Sequence, residues 1–288
     1  MILVTGATGT VGGEVAKRLA TGHGLRVMTR EPRRCAVAGP RAEVVRGDYR
    51  DTASLERALC GVRAAFLVTN HFTEPHDERF LEAARRAGVE HVVKLSAAVV
   101  DDDVDDAVTR RQRRNEAAVR ASGIAWTLLR PRAFMSNTLS WCSDIRSHGV
   151  VSALYGDAPN APVDPRDVAA VAVRALTEPG HRGRCYTLAG PETLTARQQT
   201  RILSAVLGRP LMFREMSRFE AGRVLRARHS RPLADALLQR ADLQLAGGKS
   251  LLSDSVSALT GSAPRSYRVW ASAHAHCFAE EGSPALRV

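Results

Sequence analysis

The chain opens "MILVTGATGTVGGEVAKRLA": a short apolar run, glycines at positions 6, 9 and 12, then a helical pattern. This order constrains the fold more than any other feature. A strand that passes through a G-x-x-G-x-x-G turn into a helix presents free N–H groups and the positive helix end to an anion. Gly6 permits the tight turn, Gly9 lets the backbone approach a pyrophosphate, and Gly12 brings the helix against the sheet. Thr5, Thr8 and Thr10 add hydroxyl groups around the same turn.

The next residues extend the pattern. "LRVMT", "AEVVRG", "AAFLVT", "HVVKLS" and "AWTLLR" are apolar runs of the length that suits strands buried on both faces. Helical stretches near 11–21, 52–60, 77–87 and 107–121 separate them, with Thr52 expected to cap the second. The spacing predicts right-handed β-α-β crossovers in an α/β, Rossmann-type doubly wound parallel sheet. After Pro131 the rhythm changes. "VVSAL" and "CYTLAG" read as strands, and 164–176 as a helix with Asp164 at its cap and Pro165 at its first position. Residues 195–208 read as a helix ending at Gly208, and the remainder to about 278 as mainly helical. We therefore expect a dinucleotide-binding domain over 1–150. A smaller, mostly helical substrate lobe is expected over 151–288, with the chain crossing back to the sheet around 184–190.

Composition excludes several classes. No apolar run approaches the ~18 residues of a membrane span, and the first strand begins at Met1 with no basic leader before it. This reads as a cytoplasmic protein with no membrane partner. The five cysteines are scattered, with no C-x-x-C pair, so neither a metal site nor a disulfide framework is expected, and the thiols read as buried or half-buried. The net charge of +11 raises nucleic acid as a partner. However, arginine supplies 38 of the 41 basic residues (41 less Lys17, Lys94 and Lys249), and the densest run, "TRRQRRNE", adjoins the acidic "DDDVDD". Mixed-sign runs face solvent, so a nucleic-acid partner is not expected. A small-molecule substrate is, on a monomer or homodimer.

The second strand selects the dinucleotide. An NAD site places Asp or Glu after it, to accept from the ribose 2′-OH. Here it ends "VMTREPRRC", with Arg30 and Arg34 available to grip a 2′-phosphate. The expected cofactor is NADPH, with Asp48 and Tyr49 of "GDYRD" bordering the adenine.

"VTGATGTVGGEV", "RGDYRDTASLERAL", "SGIAWTLLRPRAFMSN" and "YTLAGPETLTARQ" together resemble the NmrA-like group of atypical short-chain dehydrogenase/reductases, nearest its quinone reductase and triphenylmethane-dye reductase branch. The resemblance spans nearly the whole chain. It implies an NADP-binding Rossmann domain and an oxidoreductase. It places the cofactor loop on Gly6, Gly9, Thr10, Val11 and Gly12, and the basic selector on Arg30. Strand-end contacts fall on Val68, Thr69, Asn70, Lys94 and Ser96. The segment against the nicotinamide falls on Pro131, Arg132, Ala133 and Phe134.

Typical members of the superfamily carry Tyr-x-x-x-Lys beside a Ser, the tyrosine exchanging a proton with the substrate carbonyl. None of Tyr49, Tyr155, Tyr186 or Tyr267 has Lys four residues later, and Gln112 and Glu116 occupy the expected places. Simple ketones are poorly served by such a site. A quinone, enone or iminium accepts hydride readily and takes its proton later. The expectation is an NADPH-dependent reductase of a conjugated or aromatic small molecule, in a biosynthetic setting. Ser96 is its carbonyl donor, His71 its proton shuttle, and Phe134, Met135 and Trp141 its aromatic pocket. The alternatives are an isomerase, epimerase or cyclase retaining NADP(H), and a non-catalytic NADP(H) sensor.

Overall fold

The computed structural model of the protein describes residues 1–35, 42–69 and 74–279. In chain order its strands are β1 (Ile2–Thr5), β2 (Leu25–Thr29), β3 (Glu43–Arg46), β4 (Ala64–Leu67), β5 (His91–Leu95), β6 (Ala125–Pro131), β7 (Ala133–Phe134), β8 (Val150–Leu154), β9 (Pro162–Val163), β10 (Arg184–Leu188) and β11 (Met212–Met216). Seven of them form one parallel sheet in the order β10-β6-β5-β4-β1-β2-β3. Ile2 lies between Leu25 of β2 and Ala64 of β4. The strand order reverses beside β1, so the glycine turn leaves the sheet at its topological switch point, where such folds bind ligands.

Side chains alternate across this sheet, and both faces are apolar. On one face Val4, Val27 and Val93 pack under α1 (Thr10–Leu19) and, later in the chain, α6 (Pro165–Thr177), through Val15, Leu19, Val168 and Ala172. On the other, Leu3, Ala65, Val92 and Leu128 pack under α2 (Thr52–Leu59), α3 (His76–Arg86) and α4 (Ala107–Ala121). The caps follow from short polar side chains. Asp106 accepts from the N–H groups of Val108 and Thr109 to start α4, and Asp164 accepts from Arg166 N–H to start α6, with Pro165 as its first residue. For α2 the cap is Asp51, whose carboxylate accepts from Ser54 N–H; Thr52, expected to cap, is the first helical residue.

Past β6 the chain builds a lobe over the carboxyl edge of the sheet. β7 pairs with β9, and β8 with β11, both parallel. α5 (Cys142–His148), α7 (Ala196–Leu207), α8 (Arg218–Arg228), α9 (Arg231–Leu245) and a short helix over 267–273 complete it, while a short helix over 255–260 packs back on α6 and the sheet core through Val256. Its core is Met135, Ile145, Val151, Leu203, Tyr267, Trp270 and Phe278. β11 is a strand within the stretch expected to be mainly helical. Its residues are half-buried or exposed, and the short apolar stretch Leu211 to Phe213 is broken by Arg214 and Glu215; pairing with β8 makes it a strand. Among the described residues no helix is long and apolar enough to cross a membrane, and no His/Cys/Asp/Glu group could hold a metal ion. All five cysteines are free; Cys35, Cys142 and Cys277 are half-buried as expected, and Cys60 and Cys185 are exposed against the expectation of buried or half-buried thiols.

Candidate active site

The glycine turn has the geometry of a phosphate cradle. Gly6 has φ of +66°, the left-handed region that favours glycine. A Cβ at Gly12 would lie 2.6 Å from the Gly6 carbonyl carbon and 2.9 Å from the Thr5 oxygen, so only glycine lets α1 meet the strand end. Gly9 differs. Its backbone is extended (φ −96°, ψ 175°), and a Cβ there would touch only the Gly6 oxygen, at 3.2 Å. Glycine at position 9 keeps space open beside the turn. Gly9 is also the N-cap of α1 and caps it with no side chain, which leaves the first-turn N–H groups of Thr10, Val11 and Gly12 for an anion.

Beside this turn lies a cavity of about 330 Å³ whose lining includes Thr8, Thr29, Arg30, Asp48, Tyr49 and Arg50. Thr5 Oγ1 accepts from Val68 N–H at 2.8 Å and donates to the Phe66 carbonyl at 3.1 Å, which ties the ends of β1 and β4 together. Tyr49 stacks on His76 with centroids 5.0 Å apart and donates to the Val68 carbonyl at 2.7 Å. Burial pushes its phenol far above the usual range. Its hydroxyl is engaged and held protonated, so it serves as a fixed wall of this cavity and no acid. Arg30 and Arg50 are both exposed, and neither guanidinium has an ion-pair partner among the described residues. Arg50 is a second candidate for the 2′-phosphate. It stands in the same "GDYRD" segment as Asp48 and Tyr49, but one more arginine has no contrast in so arginine-rich a chain.

Other expected contacts have different roles. Lys94, 1% exposed, lies 2.7 Å from Asp77 and donates to Thr69 Oγ1 at 2.8 Å; Thr69 donates to Asp77 in turn. Burial pulls the ammonium down and Asp77 opposes that shift. This enclosed triad joins β5, the end of β4 and the start of α3. Lys94 and Thr69 therefore tie the strand ends to α3 through Asp77. Met135 is fully buried in the lobe core, and Trp141 packs against that core. Met135 is thus a core residue, which corrects its expected place in an aromatic pocket, whereas Trp141 is half-buried and keeps an open face. Phe134 is half-buried and packs against the sheet core, and Pro131 is the buried last residue of β6. Asn70, His71 and the Arg34 side chain lie outside the described residues.

The inward face of α4 carries the chemistry expected of a short-chain reductase helix, in altered form. Thr109, Gln112 and Glu116 are buried along it. Ser96 donates to Glu116 at 2.6 Å, and Arg130 grips the same carboxylate at 2.9 and 2.6 Å. The Ser96 proton is thus held by a carboxylate, which revises its expected role as a free carbonyl donor. Gln112, in the tyrosine place, has a buried Oε1 with no hydrogen-bond partner. No tyrosine compensates. Tyr155 donates to Asp242 at 2.9 Å, Tyr186 bonds His181 at 2.9 Å, and Tyr267 donates to Thr138 at 3.0 Å inside the lobe core.

A cationic group flanks this face. Asp102 follows a short 3-10 turn after β5. Arg132, the residue after β6, donates to it at 3.0 Å, and Arg240 of α9 donates to it at 3.2 Å. Arg240 also lies 2.7 Å from Asp106 and bonds the Thr109 hydroxyl. Lys249, after α9, is half-buried. Burial first, then Arg240, brings its ammonium down to about 8, against the pull of Asp102 and Asp106; Arg132 adds to the lowering.

Comparison with known proteins agrees with this geometry. The chain belongs to the NAD(P)H-binding family, whose model matches residues 6–179, and within it to the NmrA-like oxidoreductases. It is 57% identical over 282 residues to the (4-alkanoyl-5-oxo-2,5-dihydrofuran-3-yl)methyl phosphate reductase of Streptomyces griseus, covering 98% of this chain and 100% of that one. It is 32% identical to the NAD(P)H azoreductase of Xenophilus azovorans, over 96% of this chain and 99% of the other. Among solved structures, the Escherichia coli NADPH-dependent quinone oxidoreductase QOR2 complexed with NADPH superposes with a TM-score of 0.82 at 28% identity, covering 95% and 99% of the two chains. The protein is an NADPH-dependent oxidoreductase that reduces a small molecule.

Proposed function

We propose that the protein reduces the ring double bond of a (4-alkanoyl-5-oxo-2,5-dihydrofuran-3-yl)methyl phosphate or a near analogue. The observation that carries this reading is the α4 face: Gln112 and Glu116 stand where an acid pair is expected, and Ser96 is bonded to Glu116. Such a site has no positioned phenol to protonate a simple carbonyl oxygen as charge develops. A dihydrofuranone with an acyl group at C4 does not need one. When hydride adds at ring C3, the electron pair moves to C4 and spreads over two carbonyls, the lactone and the alkanoyl group. The proton then arrives at C4 from water. The 57% identity over the full length of the Streptomyces griseus reductase supports the same substrate class.

NADPH supplies the hydride when bound. The chain supplies position: the glycine turn and first turn of α1 for the pyrophosphate, Tyr49 and the residues around it for the adenine, Arg30 and Arg50 for the 2′-phosphate. Gln112 and the Ser96–Glu116 pair form the polar wall beside the reacting ring. Holding two reactants in register accounts for much of the acceleration when the acceptor is already electron-poor. The test is NADPH oxidation against four acceptors: the furanone phosphate, a quinone, an open-chain enone and a saturated ketone. We expect the furanone phosphate to give the highest kcat/KM and the ketone the lowest. Faster turnover of the ketone would overturn the reading.

A further inference from the structure

Arg132, Arg240 and Lys249 come from three separate parts of the chain and meet at the carboxyl edge of the sheet. Their placement relative to α4 is informative. Arg240 bonds Thr109, Ser96 bonds Glu116, and Gln112 lies between, all on one helix face. Thr109 and Glu116 are seven residues apart, so the two ends of this ladder are separated by roughly 10 Å along the helix. One end is cationic and the other is the Ser96–Glu116 wall.

The cationic end is incompletely satisfied. Three positive groups share two carboxylates, Asp102 and Asp106. Arg132 uses one N–H group on Asp102, while its buried Nε and that of Arg240 have no acceptor among the described residues. Lys249 has no hydrogen-bond or ion-pair partner for its ammonium among the described residues, although it is half-buried. A buried donor without an acceptor is costly; two guanidinium Nε atoms of this kind, with the half-buried Lys249 ammonium beside them, indicate a missing anion. A phosphate monoester offers several strong acceptor oxygens and about two negative charges.

We propose that Arg132, Arg240 and Lys249 form the seat of the substrate's phosphate; this rests on the reading of function given above. In that substrate class the phosphorus is three bonds from ring C3. A phosphate held beside Arg132, which belongs to the segment implied to lie against the nicotinamide, sets C3 at the hydride and directs the ring toward Gln112. The seat thus selects the phosphorylated furanone over its dephosphorylated alcohol.

The experiment compares kcat/KM of the NADPH-loaded enzyme for the furanone methyl phosphate and for the corresponding hydroxymethyl furanone. Wild type is compared with Lys249→Gln and Lys249→Arg, and a quinone reports general competence. Lys249 is chosen because Arg240 also joins α9 to α4, so its removal risks the fold. We expect the wild type to prefer the ester by at least 100-fold. Lys249→Gln should lower the ester-over-alcohol ratio by about 10- to 100-fold, the scale of one charge-assisted contact, mainly through KM. Lys249→Arg should restore most of it. Equal kcat/KM for ester and alcohol in the wild type, or an unchanged ratio in Lys249→Gln, would overturn the phosphate seat and leave the reductase reading standing. Reduction of the quinone with no turnover of either furanone would overturn both.

Discussion

Gly9 and Gly12 lie three residues apart, and they separate folding from binding. At Gly12 an added methyl would sit 2.6 Å from the Gly6 carbonyl carbon and 2.9 Å from the Thr5 oxygen. Ordinary carbon contacts lie near 3.5–4.0 Å, so the overlap approaches an ångström, and the obstruction is backbone that cannot rotate aside. Gly12→Ala should therefore cost about 1–3 kcal/mol of stability as α1 lifts from the strand end. At Gly9 an added Cβ meets one atom, at 3.2 Å, and the backbone is extended, so Gly9→Ala should change stability by less than about 1 kcal/mol. Gly9→Val points its branched side chain into the space kept for the pyrophosphate. It should weaken NADPH at least ~100-fold, or about 2.7 kcal/mol, in a protein that still unfolds cooperatively. Denaturant unfolding without cofactor and fluorescence titration with NADPH separate the two effects. A Gly9→Val protein with wild-type NADPH affinity, or a Gly12→Ala protein as stable as wild type, would refute the assignment of these roles.

Three further outcomes follow from named contacts. Arg30→Ala should weaken NADPH by about 1–3 kcal/mol, the worth of a charge-assisted contact, and leave NADH nearly unchanged in the same titration; equal loss for both would remove the 2′-phosphate assignment. Tyr155→Phe should retain turnover within a few-fold, since that hydroxyl is engaged by Asp242; complete loss in a folded protein would show a tyrosine acid. His91 is buried against Thr127, and burial first, then the charges of Arg182, His181 and Arg63, brings its imidazole down to about 4. The unfolded chain then binds the proton first. The His91 contribution is full above its ordinary value of 6.5 and is lost as pH falls from there toward 4. The loss reaches up to about 3 kcal/mol. Unfolding free energies measured between pH 7 and 4 should show this slope in wild type and a shallower one in His91→Gln.

Much of the fold was legible because parallel strands buried on both faces must be continuous apolar runs. β1, β4 and β5 stand out in the sequence for that reason, and Asp164-Pro165 marks the start of α6. The glycine turn was legible because its three positions are dictated by backbone geometry alone. What was hidden depends on partners distant in sequence. β11 is a strand through pairing with β8, some sixty residues earlier, and Arg214 and Glu215 break the apolar pattern of its own residues. Lys94 reads in sequence only as a polar residue of a strand, and the return of α3 brings Asp77 to enclose it. Arg240 and Lys249 meet Asp102 across about 140 residues, and arginine is too common in this chain to draw notice. Ser96 was identified as a polar group of the site, but its engagement by Glu116 required the helix to be in place.

The most direct measurement is where the hydride goes. With NADPH carrying deuterium on the transferred face of the nicotinamide, and the (4-alkanoyl-5-oxo-2,5-dihydrofuran-3-yl)methyl phosphate as substrate, mass spectrometry and NMR locate the label in the product. We expect one deuterium on ring C3, a saturated ring, both carbonyls intact and one NADPH consumed per double bond lost. Deuterium on a carbinol carbon derived from the alkanoyl group would show carbonyl reduction, and with it a proton donor that the α4 face does not contain.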